Sequence, residues 1–250
     1  MHLVRATAMF SVQVDIDVLA AARAVALSHT ARHDADMLLK TTLTEALGGA
    51  VVRPWSLYRQ LGSVASILGY SAIPIDEIEI RLQTSLPSVR GAVRAIHGHA
   101  LPELLADQKF RFSVRLCPTI RVTPSKDKSH AHGEQDAFLV AVQRGETNIE
   151  REGVYTRYLA QRLSGASIEQ AKLTRFQLLK MTRPHRGVSA PESGLAQRVI
   201  PDAVLEGILT VTDPAAFKQT LLQGVGRQRA YGRGYVRLQA TGSCVIAKNP

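Results

Sequence analysis

The stretch Leu221-Leu-Gln-Gly-Val-Gly-Arg-Gln-Arg-Ala-Tyr-Gly-Arg-Gly-Tyr-Val-Arg-Leu238 decides the reading of this chain. It predicts a short helix that ends at Gly224, a glycine- and arginine-rich loop, and a strand that begins near Tyr235. Gly224, Gly226, Gly232 and Gly234 remove Cβ atoms where a backbone must turn tightly or approach a ligand. Arg227, Arg229, Arg233 and Arg237 crowd positive charge around the loop, and no Asp or Glu follows Asp213. A cationic loop of this kind suits a phosphate backbone. Solvated arginines after a glycine-capped helix end are the plainer alternative. The loop is not a dinucleotide fingerprint, which runs strand, loop, helix; here the order is helix, loop, strand.

Outward from the loop, Asp213-Pro214 opens the preceding helix, with Asp as cap and Pro at the first helical position. Val204 to Val211 reads as a strand. Ile168 to Met181 contains another, and Gly153 to Leu163 is an amphipathic helix. Lys109 to Arg121 is the clearest strand: Phe110, Phe112, Val114 and Leu116 alternate with Arg111, Ser113 and Arg115. The second half therefore reads strand, helix, strand, strand, helix, strand. In the first half, Leu3 to Val14 reads as a strand, and Asp17 to Ser28 and Asp34 to Leu47 as helices. Leu39, Leu43, Ala46 and Leu47 share one face of the second helix. Val51 to Tyr58 and Val64 to Ala72 are candidate strands, Pro74 to Leu82 a short helix or irregular, and Pro87 to His97 a further helix. The pattern predicts an α+β chain of two tandem ferredoxin-like (RRM-like) βαββαβ domains. The first spans 1–104 with an inserted helix near 17–33; the second spans 105–250 and carries the glycine-rich loop.

The chain has 250 residues, 45% of them apolar, which is enough for a core. Aromatic residues are 5%, so base-stacking platforms are few. The formal net charge is +10 and the sequence pI about 10.0. That balance points to a polyanion, nucleic acid first and an anionic membrane surface second. Most of the unopposed Lys and Arg lies in residues 172–200 and 214–250. Cys117 and Cys244 are far apart without a C-x-x-C pair, which argues against a thiolate zinc site. His29 and His33 are four apart, a spacing metals use on helices, but no third ligand accompanies them. Neither metal nor cofactor is expected. No apolar run approaches the ~18 residues of a spanning helix, and Asp15 and Asp17 interrupt any signal-like segment. The chain reads as soluble and cytoplasmic. Arg121 to Asp136, with Lys126, Lys128, His130 and His132, reads as an exposed basic loop, and Thr182 to Pro201 as a mobile hairpin or loop. Arg175, Lys180, Arg183, Arg186 and Arg198 flank or occupy the second. These groups either grip an RNA stem through its phosphates or are ordinary surface charge.

Three segments resemble CRISPR-associated RNA-processing endoribonucleases of the CasE type, in the RAMP superfamily. Val204-Leu-Glu-Gly-Ile-Leu-Thr-Val-Thr-Asp-Pro214, running into Gln223-Gly-Val-Gly226 and Ala230-Tyr-Gly-Arg-Gly-Tyr235, is similar to their glycine-rich signature. Tyr155-Thr-Arg-Tyr-Leu-Ala-Gln-Arg-Leu-Ser-Gly165 resembles their W-L-x-x-[KR]-L helix. Phe110-Arg-Phe-Ser-Val-Arg-Leu-Cys-Pro118 resembles their F-[RK]-x-R-x-[NRV]-P strand. Together these span roughly residues 105–250; residues 34–72, through Leu68-Gly-Tyr-Ser71, are more faintly similar.

The resemblance implies tandem ferredoxin-like domains and metal-independent cutting of CRISPR repeat RNA at the base of a stem-loop. It also implies retention of the product and association with other effector-complex subunits. The implied chemistry is attack of the 2′-OH on the adjacent phosphate, leaving a cyclic phosphate and a 5′-hydroxyl. That needs a base, an acid and cations around phosphorus. The family usually places a histidine in the first helix. Aligning Leu39-Lys-Thr-Thr-Leu43 with that motif puts Lys40 at the histidine position. Lys40, with Arg23, His29, Arg32 and His33 in the segment leading to this helix, forms the candidate catalytic set. The change from histidine to lysine also fits a divergent relative, such as type IV processors, or a non-catalytic RNA-binding subunit.

Overall fold

The computed structural model describes residues 8–28, 34–122, 133–184 and 195–241. The first sheet is built from β1 (Phe10–Asp17), β2 (Trp55–Leu61), β3 (Val64–Ser71) and β4 (Val93–Ala100). Between β1 and β2 lie α1 (Val18–Ser28) and α2 (Ala35–Ala46); between β3 and β4 lie α3 (Ile75–Thr84) and α4 (Pro87–Arg90). The strand order is β2-β3-β1-β4 with every neighbouring pair antiparallel.

The second sheet repeats the plan. Its chain order is β5 (Lys109–Leu116), β6 (Thr119–Val122), β7 (Gly133–Asp136), α5 (Ala137–Gln143), α6 (Arg151–Ala160), β8 (Ala166–Pro184), β9 (Leu195–Val211), α7 (Pro214–Gln223) and β10 (Val236–Ala240). The sheet order is β10-β5-β9-β8, again antiparallel throughout, with β6 and β7 paired to one side. The chain therefore has two ferredoxin-like domains, as the sequence pattern predicts.

Strand alternation decides which face each sheet buries. In β1, Val12, Val14 and Ile16 are fully buried against Ala21 and Val25 of α1 and Leu39, Leu43 and Leu47 in and just beyond α2. In β5, Phe110, Phe112, Val114 and Leu116 pack on Tyr155 and Leu159 of α6 and Phe217 and Leu221 of α7. Burying each such side chain contributes about 1.5–3 kcal/mol. The helices start where side-chain oxygens satisfy free amides. Asp34 accepts from Met37 N at 2.8 Å at the head of α2, and Asp213 accepts from Ala215 N and Ala216 N at 3.0 Å at the head of α7. In the second sheet, the face not covered by helices carries Arg111, Ser113 and Arg115 of β5, with Glu206 of β9 opposite Ser113.

Four sequence expectations change. Pro87 to His97 is not one helix: α4 stops at Arg90, and Val93 onward is β4, paired along β1. Gly98 lets Ile75 lie flat on that strand, since a Cβ there would meet Ile75 Cδ1 at 2.3 Å. Thr182 to Pro201 is not wholly a loop, because β8 runs to Pro184 and β9 starts at Leu195. Where the two strands meet Cys117, Met181 and Ile200 are buried. The polar segment Arg121 to Asp136 is likewise bounded by β6 and β7, which pair Val122 with Gly133. Ala137 to Gln143, to which periodicity assigns no element, is a helix capped by the Asp136 side chain through Phe138 N at 2.9 Å. Its unbroken apolar run carries no period that separates helix from strand.

Candidate functional site

The glycine-rich loop closes on itself before it meets anything else. Val225 N donates to Gly234 O at 2.9 Å, and Gly234 N donates to Arg115 O at 2.8 Å. Gly234 has φ +77, and a Cβ there would lie 2.2 Å from Val225 O, so no side chain fits. Gly232 gives room to Trp55 of the first domain, whose Cζ3 would be 2.7 Å from a Cβ. Gly224 and Gly226 similarly abut Pro54 and Tyr158. The four glycines thus let the loop fold and dock on the first domain.

The loop arginines divide by burial. Arg229 Nη1 donates to Gln223 O at 2.7 Å and so caps the end of α7. Arg227 pairs with Glu134 and stays partly exposed. Arg237 lies 5.5 Å over the Tyr58 ring, and its Nε is buried without a partner. Arg233, expected to meet phosphate, has a side chain 0% exposed. Its Nε donates to Asp202 Oδ1 at 3.0 Å, and its Nη1 donates to Asp36 Oδ2 at 3.0 Å and Tyr231 O at 2.8 Å. Arg233 is therefore an interior group holding carboxylates, not a solvent-facing phosphate contact.

Asp36 and Asp202 share a second arginine. Arg115 Nε donates to Asp202 Oδ1 at 2.7 Å, and its Nη1 reaches Asp36 Oδ1 at 3.4 Å. Gln177 Nε2 completes Asp202 at 3.0 Å. Burial pushes the Asp202 carboxyl up, but the Arg115 hydrogen bond and the charges of Arg115 and Arg233 outweigh it and hold it below the usual value. Burial likewise works against the Arg115 cation, and Asp36 and Asp202 more than offset it.

This network places α2. Asp36 lies in its first turn, and Lys40 follows one turn later on the same face. That end of the helix lies against the loop's short 3-10 turn, Arg229–Tyr231. Lys40 is half-buried, and no described residue bonds its ammonium; its carbonyl accepts from Thr44 Oγ1 at 2.8 Å. Arg23 is exposed on α1, which packs on α2. Arg175 is 52% exposed beside Asp202, and Lys180 and Arg198 are exposed on the β8–β9 hairpin. Arg183 belongs to β8 by its backbone. His29, Arg32, His33, Lys126, Lys128, His130, His132 and Arg186 lie outside the described residues. Beside the network a cleft of about 350 Å³ opens between the two sheets, lined by Tyr58, Arg115, Arg175, Glu206, Tyr235 and Arg237. Among the described residues, no three His, Cys, Asp or Glu side chains gather as a metal site. No helix there is long and apolar enough to cross a membrane.

A sequence model of the family described as CRISPR associated protein matches residues 10–239, both domains and the loop together. The chain belongs to the CRISPR-associated protein family. No curated protein matches the sequence. Among solved structures, the fold is similar to a CRISPR endoribonuclease Cse3 bound to 19-nucleotide RNA, at 20% identity and a TM-score of 0.58 over 92% of this chain and 99% of that one. It is similar to the CRISPR-associated protein Cas6e from Escherichia coli K-12, at 13% identity and a TM-score of 0.52 over 92% and 99%. A chain of a CRISPR RNA-guided surveillance complex in a pre-nicking state matches at 14% identity and a TM-score of 0.56, over 92% and 99%. At these identities the likeness establishes the fold that this CRISPR-associated chain shares with them.

Sequence reasoning missed Asp36 and Asp202. The available signal was an acid within the first turn of the helix that carries Lys40, and an acid inside the apolar stretch Ile200-Pro-Asp-Ala-Val-Leu205.

Proposed function

We propose that this chain is an endoribonuclease that cuts CRISPR repeat RNA at the base of a stem-loop, without a metal ion, and keeps hold of the product. The observation that carries this reading is the docking of the first turn of α2, through Asp36, against the glycine-rich loop, within a family match that spans both domains. The RNA-bound endoribonuclease of the same fold supports it.

In the proposed reaction the 2′-oxygen attacks the adjacent phosphorus. Its proton passes to a base, and the 5′-oxygen leaves with a proton from an acid. A 2′,3′-cyclic phosphate and a 5′-hydroxyl result. Lys40, a nitrogen donor on the first turns of α2, is assigned to neutralising the pentacoordinate phosphate and protonating the leaving oxygen. Arg23 supplies further positive charge, and His29 and His33 are the candidate bases. Lys180, Arg183 and Arg198, with Arg175, hold the stem through its phosphates. The surveillance complex containing a chain of this fold supports association with other effector subunits.

The test is cleavage of the cognate repeat stem-loop in EDTA. One cut with a cyclic phosphate end, abolished by 2′-deoxy substitution at the scissile nucleotide, is the expected result. Cutting only after metal is restored would overturn the mechanism. The second reading, a non-catalytic RNA-binding subunit, is favoured by one observation: α2, Ala35–Ala46, holds no histidine.

A further inference from the structure

Asp36 is the one carboxylate of the buried network that comes from the first domain. Its partners Arg115 and Arg233 belong to β5 and the glycine-rich loop of the second, and both also hold Asp202 of β9. Asp202 and Arg233 have side chains 0% exposed; those of Arg115 and Asp36 are 14% and 16% exposed. Two cations and two anions close a neutral ring whose bonds are directional. A buried ring of this kind is a weak source of net stability, because desolvating the charges offsets their attraction. What it supplies is geometry. The planar guanidinium of Arg233 spans both carboxylates, Nε to Asp202 and Nη1 to Asp36, so it fixes their separation and orientation.

That geometry ties the first turn of α2 to the loop, while its buried face, Leu38, Leu39 and Leu43, holds it on the first sheet. Side chains on a helix lean toward its N-terminus, so Lys40 covers the turn that carries Asp36. Loss of the Asp36 bonds would leave the domains joined elsewhere. Tyr70 OH still donates to Val236 O at 2.8 Å, and its ring still lies 4.7 Å from Tyr235. Arg115 and Arg233 would still hold Asp202. What would be released is the bonded tie between the first turn of α2 and the loop.

We infer that Asp36 is a positioning residue for RNA cleavage: through Arg233 and Arg115 it sets α2, and with it Lys40, against the glycine-rich loop. The role rests on the nuclease reading above. It differs from RNA binding, since Asp36 is anionic and spent inside the protein. It differs from bulk stability, since the other interdomain contacts persist without it.

The experiment compares wild type with Asp36→Asn and Asp36→Glu on the cognate repeat stem-loop, in EDTA. Each protein is measured for melting temperature, affinity for a 2′-deoxy-blocked substrate, and single-turnover cleavage at saturating protein. Displacing a reacting group by about 1 Å costs on the order of 10²-fold in rate, so a loss of at least about tenfold in the cleavage rate is expected. Affinity should stay within about threefold, because no phosphate contact is removed. Asp36→Glu keeps the charge but lengthens the reach, so it remains a folded test if Asp36→Asn melts; restored charge alone does not restore the rate. The inference is overturned if either folded variant cuts at the wild-type rate, or if affinity falls in step with cleavage. A wild type that binds the RNA without cutting it sinks the nuclease reading, and the positioning role with it.

Discussion

Replacing Arg233 with alanine should unfold the chain more readily and leave its RNA contacts intact. The side chain is 0% exposed and makes bonds to Asp202, Asp36 and the Tyr231 carbonyl. Removing one partner of a buried ion pair costs about 3–5 kcal/mol, since the remaining charge is left uncompensated. Arg115 still reaches both carboxylates, which places the expected loss near the lower end, about 3 kcal/mol. For a chain of this length each kcal/mol moves the melting temperature by about 2–4 °C, so a drop of about 6–12 °C is expected. Thermal melting and urea denaturation of Arg233→Ala beside Arg229→Ala provide the comparison. Arg229 bonds only the carbonyls ending α7, and its loss should cost under about 1 kcal/mol. Affinity for the repeat RNA should be measured below melting across a salt series. A phosphate contact contributes about 0.7–0.9 to the slope of log affinity against log salt. An unchanged melting temperature together with a slope reduced by that amount would refute the interior role and return Arg233 to the RNA surface.

Three further outcomes follow from the same geometry. Gly234→Ala should destabilise the chain by more than about 1 kcal/mol, because its φ is +77 and the added Cβ would sit 2.2 Å from Val225 O; Gly145→Ala, with φ +82 and open space, should cost less, and denaturation midpoints compare them. Lys180→Ala with Arg198→Ala should weaken RNA binding alike for different stems and lower the salt slope, with an unchanged melting temperature, since both side chains are exposed. Asp202 has its folded pKa held below the unfolded value, so its stabilisation is present above about pH 4 and is lost as pH falls through the folded value. Asp202→Asn should therefore be less stable than wild type at neutral pH and show a flatter fall in melting temperature below pH 4.

The fold was legible where one face of a strand or helix is buried. Alternation at Phe110, Phe112, Val114 and Leu116 and the Leu39, Leu43, Leu47 spacing reproduce the observed core faces. It was illegible where buried and exposed positions do not follow a regular period. The β8–β9 hairpin has exposed Leu178 and Val199 among its charges, so its pattern resembles a loop. β4 is an edge strand with a largely exposed surface, and its weak alternation reads equally as helix. The glycine-rich loop was recognisable from composition, but the destination of its arginines was not. Arg233 meets Asp36 across 197 residues, and Arg115 meets the same carboxylate across 79. Residue spacing records periodicity and local caps; it does not record which distant charges close a buried ring.

The most direct test of the central claim compares wild type and Lys40→Ala on the cognate repeat stem-loop in EDTA, with binding and product ends measured together. The account predicts that both proteins bind the RNA and that wild type alone makes one cut, leaving a cyclic phosphate and a 5′-hydroxyl. Tight binding by wild type with intact RNA, or cutting by Lys40→Ala at the wild-type rate, would contradict it.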